Sequence, residues 1–133
     1  MSGQTYERRG LRSPAASVTV FGFYLVGLAL VLMTIPNTLL AIFGIASTQE
    51  SWIRVVGLLA GLIGLLYVRY APHADRPFFE ITVQLRASVI VFFLAFVALA
   101  SAPWQLLLFG SIDLAAAGWT WWTLSAERRI APA

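Results

Sequence analysis

The sequence predicts an all-α membrane protein, a four-transmembrane-helix bundle with the N- and C-termini cytoplasmic. Three observations carry that expectation. The 133 residues are 59% hydrophobic and only 11% charged, with a mean hydropathy of +0.81, whereas soluble domains carry about 25% charged residues. The apolar residues fall into four long blocks separated by short polar breaks, the pattern expected when lipid solvates the side chains. Arginine, which supplies all nine basic residues, gathers on one side of those blocks.

The elements follow in order. Residues 1–16 form a polar cytoplasmic tail carrying Glu7, Arg8, Arg9 and Arg12, and Ser13-Pro14 suits a helix start with proline in the first turn. Arg8-Arg9 ahead of an apolar run resembles a signal peptide. The run is too long for a signal core, however, and no small-residue cleavage site follows it, so an uncleaved first helix is expected. That helix covers 17–35, since a hydrocarbon core of about 30 Å needs about 20 residues. Pro36-Asn37 should kink or stop it, with a short interfacial helix over 37–44. A short outer loop leads to the second span, 52–70. The third covers 79–101 and the fourth 103–124, joined only by Ser101-Ala102-Pro103 in a tight hairpin. Residues 125–133 make a second cytoplasmic tail.

Orientation follows from the positive-inside rule. Arg8, Arg9, Arg12, Arg69, Arg76, Arg128 and Arg129 share one side, and only Arg54 falls near the other. Tryptophans agree as interfacial anchors: Trp52 and Trp104 on the outer side, Trp119, Trp121 and Trp122 on the inner. The expected location is a bacterial cytoplasmic (inner) membrane, because an all-arginine basic set suggests GC-rich bacterial coding.

Few residues suggest chemistry. Arg54, Gly57, Gly61 and Gly64 share one face of the second helix, a groove that lets another backbone come close; packing inside the bundle is favoured over pairing of two copies. Gly110, Asp113, Ala117 and Thr120 make a similar face on the fourth helix, with a carboxylate near mid-bilayer. A charged aspartate there costs about 2.5–3.5 kcal/mol and needs a partner, a proton or water. At about 1.5 Å per residue from the hairpin, Asp113 and Arg86 differ in depth by about 8 Å, within joint side-chain reach. Arg54, Arg86 and Asp113 are therefore the buried ion-pair candidates, with a register lock favoured over a proton or cation site. Glu50 is expected to pair with Arg54. Thr34, Asn37, Gln84 and Ser88 suit local backbone bonding or the kink.

The absence of cysteine removes disulfides, thiolate nucleophiles and sulfur-bound metals. The single histidine, His73, lies in a loop, leaving no axial ligand inside the bilayer. No cofactor, metal site or catalytic residue is expected. Expected partners are membrane lipids and other membrane subunits or a second copy; nucleic acid is not, since the arginines flank apolar blocks where lipid headgroups are the nearer counter-ions.

The order Pro36-Asn37-x-Leu39-Leu40, Phe43-Gly44, Glu50-x-Trp52-Ile53-Arg54-Val55-x-Gly57, Arg86, Ala102-Pro103-Trp104 and Phe109-Gly110-x-x-Asp113 resembles a group of small uncharacterised bacterial four-transmembrane-helix proteins. The resemblance implies the four-helix fold and carries no activity. The residues favour a non-enzymatic accessory or structural subunit that packs against a larger membrane complex or self-associates. The alternatives are a small proton- or cation-coupled transporter using Asp113 with Arg86 and Arg54, and a membrane-embedded lipid-modifying enzyme.

Overall fold

The computed structural model describes residues 12–130, so the tail arginines Arg8 and Arg9 lie outside the described residues. Five α-helices and no strand occur among the described residues: α1 Pro14–Thr34, α2 Pro36–Ile42, α3 Trp52–Tyr70, α4 Arg76–Leu99 and α5 Leu106–Ile130, with a 3-10 turn at Ala71–His73 between α3 and α4. Three segments are long and apolar enough to cross a membrane, Pro14–Thr34, Trp52–His73 and Arg76–Leu99. The 25-residue α5 is more polar, because Gly110, Ser111, Asp113, Gly118, Thr120 and Thr123 interrupt its apolar residues.

Local chemistry explains the helix ends. Ser13 caps α1 by accepting from the Ala16 amide at 3.0 Å, with Pro14 in the first position. Pro36 has no N–H to continue the ladder, so α1 stops at Thr34 and α2 restarts at a new angle. The Asn37 side chain then clasps the following segment: its amide donates to the Thr48 carbonyl at 3.0 Å and its oxygen accepts from the Thr48 amide at 2.9 Å. Gly44 ends this stretch at φ +68°, a conformation glycine adopts without steric cost.

The connection between α4 and α5 takes residues 100–105 rather than the three expected. Ser101 turns the chain at φ +53°, and the Pro103 carbonyl accepts from Leu106 in a single turn before α5 begins. At the other end α5 continues as helix to Ile130, into what the sequence reads as tail.

The long helices form two antiparallel pairs, α1 with α3 and α4 with α5, and the pairs meet mainly where α5 crosses α1. Helices α3 and α4 make no extensive contact. The α1–α3 seam is the tightest. A Cβ on Gly64 would lie 2.7 Å from the Gly22 carbonyl, and one on Gly22 would lie 2.8 Å from the Gly64 carbonyl. Gly57 and Gly61 extend the seam against Leu32 and Ala29. The glycine face of α3 is thus filled by α1, which leaves it unavailable for pairing with a second copy. Gly110 does the same on α5, where Ile90 and Phe93 of α4 occupy the space of a side chain.

One end of the molecule carries the start of α1, the end of α3, the start of α4 and the end of α5. At this terminal end Val18, Phe21, Tyr67, Ala71, Phe79 and Leu124 form the buried core. At the opposite, hairpin end lie α2 and the 100–105 turn. The outward faces are apolar, with Leu58, Leu62 and Leu66 of α3 and Val91 and Phe92 of α4 exposed.

Candidate functional site

The α5 face bearing Gly110, Asp113, Ala117 and Thr120 points inward and organises two unlike sites. Below Ala117, which is itself buried, a set of hydroxyls surrounds Arg86. Above it, Asp113 faces a cavity.

Arg86 is 3% exposed. Its Nε donates to the Thr82 carbonyl at 3.1 Å, one turn back on α4, and its Nη2 donates to Thr82 Oγ1 at 3.3 Å and to Thr120 Oγ1 at 2.8 Å. The guanidinium carbon sits 5.1 Å from the centre of the Phe21 ring, a cation–π contact from α1. Thr120 in turn shares a 2.7 Å hydrogen bond with Ser17 of α1, and Thr123 donates to the Thr120 carbonyl at 2.6 Å. This cluster ties α1, α4 and α5 together. Arg86 Nη1 is buried with no hydrogen-bond partner among the described residues.

The ion pairs expected from depth are not formed: no arginine among the described residues bridges to Asp113. The reason is position. Asp113 lies seven residues before Thr120 on α5, about 10 Å along the axis, while two hydroxyls and an aromatic face stand closer to Arg86. Arg54 is exposed and donates from Nη1 to the Met33 carbonyl. That oxygen belongs to the last turn of α1, whose carbonyls lose their partners where Pro36 breaks the ladder. Arg54 therefore caps a helix end. Glu50 does not pair with Arg54; it accepts from the Trp52 indole.

Asp113 lines a cavity of about 380 Å³ at the hairpin end. Tyr24, Leu28 and Leu32 of α1, Trp52 of α3 and Phe93 of α4 contribute to its wall. Phe43 and Phe109, also lining it, meet at 4.8 Å between ring centroids. Asp113 is the one charged residue in the lining, at the deep end of the α5 contribution. A carboxylate among aliphatic and aromatic groups, beneath an apolar chamber, suits an amphiphile with a cationic group and offers no nucleophile with an adjacent base. Among the described residues no three of His, Asp and Glu gather to hold a metal ion.

The tryptophans divide between the ends: Trp52 and Trp104 are exposed at the hairpin end, Trp121 and Trp122 at the terminal end, and Trp119 is half-buried. Sequence reasoning missed Ser17, Phe21, Thr82 and Gly22. The Thr82-x-x-x-Arg86 spacing was a usable signal for a same-helix hydrogen bond, and Gly22 with Ala29 two turns later marked the partner of the α3 glycines. No family model, curated protein or solved structure matches the chain.

Proposed function

We propose that the chain is a non-enzymatic integral membrane protein of four spans, α5 included, with both termini cytoplasmic, that binds a hydrophobic organic cation in the chamber at its hairpin end. The observation that supports this most is the solitary carboxylate: Asp113 faces an apolar volume of about 380 Å³ and is engaged by no arginine. A charged aspartate in such surroundings costs about 2.5–3.5 kcal/mol, and a cationic ligand offsets that cost on binding. The volume falls in the range of about 300–1,000 Å³ typical of small-molecule pockets.

Orientation rests on charge. Arg69, Arg76, Arg128 and Arg129 lie at the terminal end, against Arg54 at the hairpin end. The chamber then opens from the outer half of the membrane. Beneath it Arg86 places a buried positive charge across any route to the cytoplasmic side, a barrier to cations. Binding is accordingly favoured over the cation-coupled carrier, whose third charge, Arg54, is occupied at the end of α1. An accessory role is the second reading, favoured by the sparse contact between α3 and α4, which leaves one side of the bundle open to a neighbouring helix.

The test compares octylamine with octanol for binding to the protein in nanodiscs. Wild type should prefer the amine by about tenfold, equivalent to about 1.4 kcal/mol, and Asp113→Asn should abolish the preference while leaving octanol binding unchanged. An amine bound no better than the alcohol, or a preference that survives in Asp113→Asn, would refute the proposal.

A further inference from the structure

A second groove, remote from the chamber, lies between α4 and α5 at the terminal end. Its volume is about 410 Å³, and Arg76, Glu80 and Gln84 of α4 face Trp121, Ser125 and Arg128 of α5 across it. Val83 and Leu124 complete the wall. Charge is graded along the helices: Arg76, Glu80 and Arg128 sit toward the chain-terminal rim, while Val83, Gln84, Leu124 and Ser125 lie about a turn deeper and Trp121 about two turns. A charged rim above a wall whose apolar part is Val83, Leu124 and the Trp121 ring, on the face of a membrane protein, matches the build of a phospholipid.

The rim has a specific hydrogen-bond arithmetic. Arg76 Nε bonds Glu80 Oε1 at 2.8 Å, and Arg128 Nη2 bonds the same oxygen at 3.3 Å. Both bonds use one oxygen. Glu80 Oε2, both terminal nitrogens of Arg76, and Arg128 Nε and Nη1 bond to no described residue. Two guanidiniums with spare donors flank a carboxylate with a spare acceptor. That set complements a phosphodiester and a primary ammonium held a few ångströms apart.

We infer that this groove binds the headgroup of an ethanolamine phospholipid. The phosphate bridges Arg76 and Arg128, the ammonium donates to Glu80 Oε2, and an acyl chain runs along Val83, Leu124 and the Trp121 ring. Choline lipids lack an N–H to donate to Glu80, and glycerol headgroups bring no positive charge to it. The inference needs the protein to be in a membrane but is independent of the chamber and of Asp113.

Native mass spectrometry of the full chain, released from micelles containing equal amounts of ethanolamine, choline and glycerol phospholipids of identical acyl chains, tests it. The ethanolamine adduct should exceed each of the others by about fivefold or more. Glu80→Gln should remove the preference over choline lipid, and Arg76→Gln combined with Arg128→Gln should reduce retention of all three. Because the lipids compete in one sample, their ratio in wild type and Glu80→Gln reads the site independently of how much of a variant folds, and for the double arginine variant retention is read per folded monomer. Equal retention in wild type, a preference for the glycerol lipid, or a preference that persists in Glu80→Gln would overturn the inference. Millimolar O-phosphoethanolamine should leave the bound lipid in place; displacement by it would assign the site to a water-soluble phosphoamine instead.

Discussion

The two ends of the bundle handle buried charge in opposite ways. At the terminal end Arg86 is enclosed by Thr82, Thr120, Ser17 and the Phe21 ring, each drawn from a helix that the cluster also fastens. At the hairpin end Asp113 faces an apolar chamber with no cationic partner in contact. Two opposite charges two turns apart have not collapsed into an ion pair. Neutral hydroxyls and a ring face engage all of the Arg86 guanidinium but Nη1, with less loss of hydration than pulling two charged groups to mid-membrane. The arginine thereby becomes part of the framework, and the carboxylate stays open to a ligand.

Both ends depend on the α1–α3 seam, where substitution should do the most damage. Gly64→Leu puts a side chain onto the Gly22 carbonyl, 2.7 Å from the Cβ position, and should destabilise the fold by about 3 kcal/mol in reversible unfolding in mixed micelles. The closed end is sharpened by Thr120→Val. This change strips an acceptor from Arg86 and a hydrogen-bond partner from Ser17 and should cost about 2 kcal/mol. Arg86→Met, which removes the buried cation together with its need for partners, should cost less than Thr120→Val, because an unsatisfied buried donor is more expensive than an absent one. The open end should barely register Arg54→Gln. That residue caps an exposed carbonyl at Met33, so the loss should stay below about 1 kcal/mol in the same assay.

Much of the architecture was legible in the sequence because it depends on covalent and steric facts. Pro36 lacks an N–H wherever it sits, so the break after Thr34 was readable. The Gly57, Gly61 and Gly64 spacing marked a face for close helix approach without naming its occupant; Gly22, five residues from Gly27 and so not on one face with it, gave a weaker signal for that partner. The hairpin was misjudged in length, since Ser101 at positive φ and the turn opened by Pro103 depend on how α4 and α5 settle together. The charge cluster failed for a different reason. Depth along a helix is countable from residue numbers, but which groups surround a side chain at that depth depends on helix rotation, and rotation brought Thr82, Thr120 and Phe21 to Arg86. The chamber was not readable at all, being bounded by residues from all five helices and their connections.

If Asp113 is a ligand group and not a structural lock, the unfolding free energy of Asp113→Asn will show it. The amide keeps the shape and removes the cost of a buried, unpaired charge, so stability should be unchanged or raised by up to about 1 kcal/mol. A loss of about 2 kcal/mol or more would contradict the account, and would mean that an ion pair with Arg86 holds the bundle together after all.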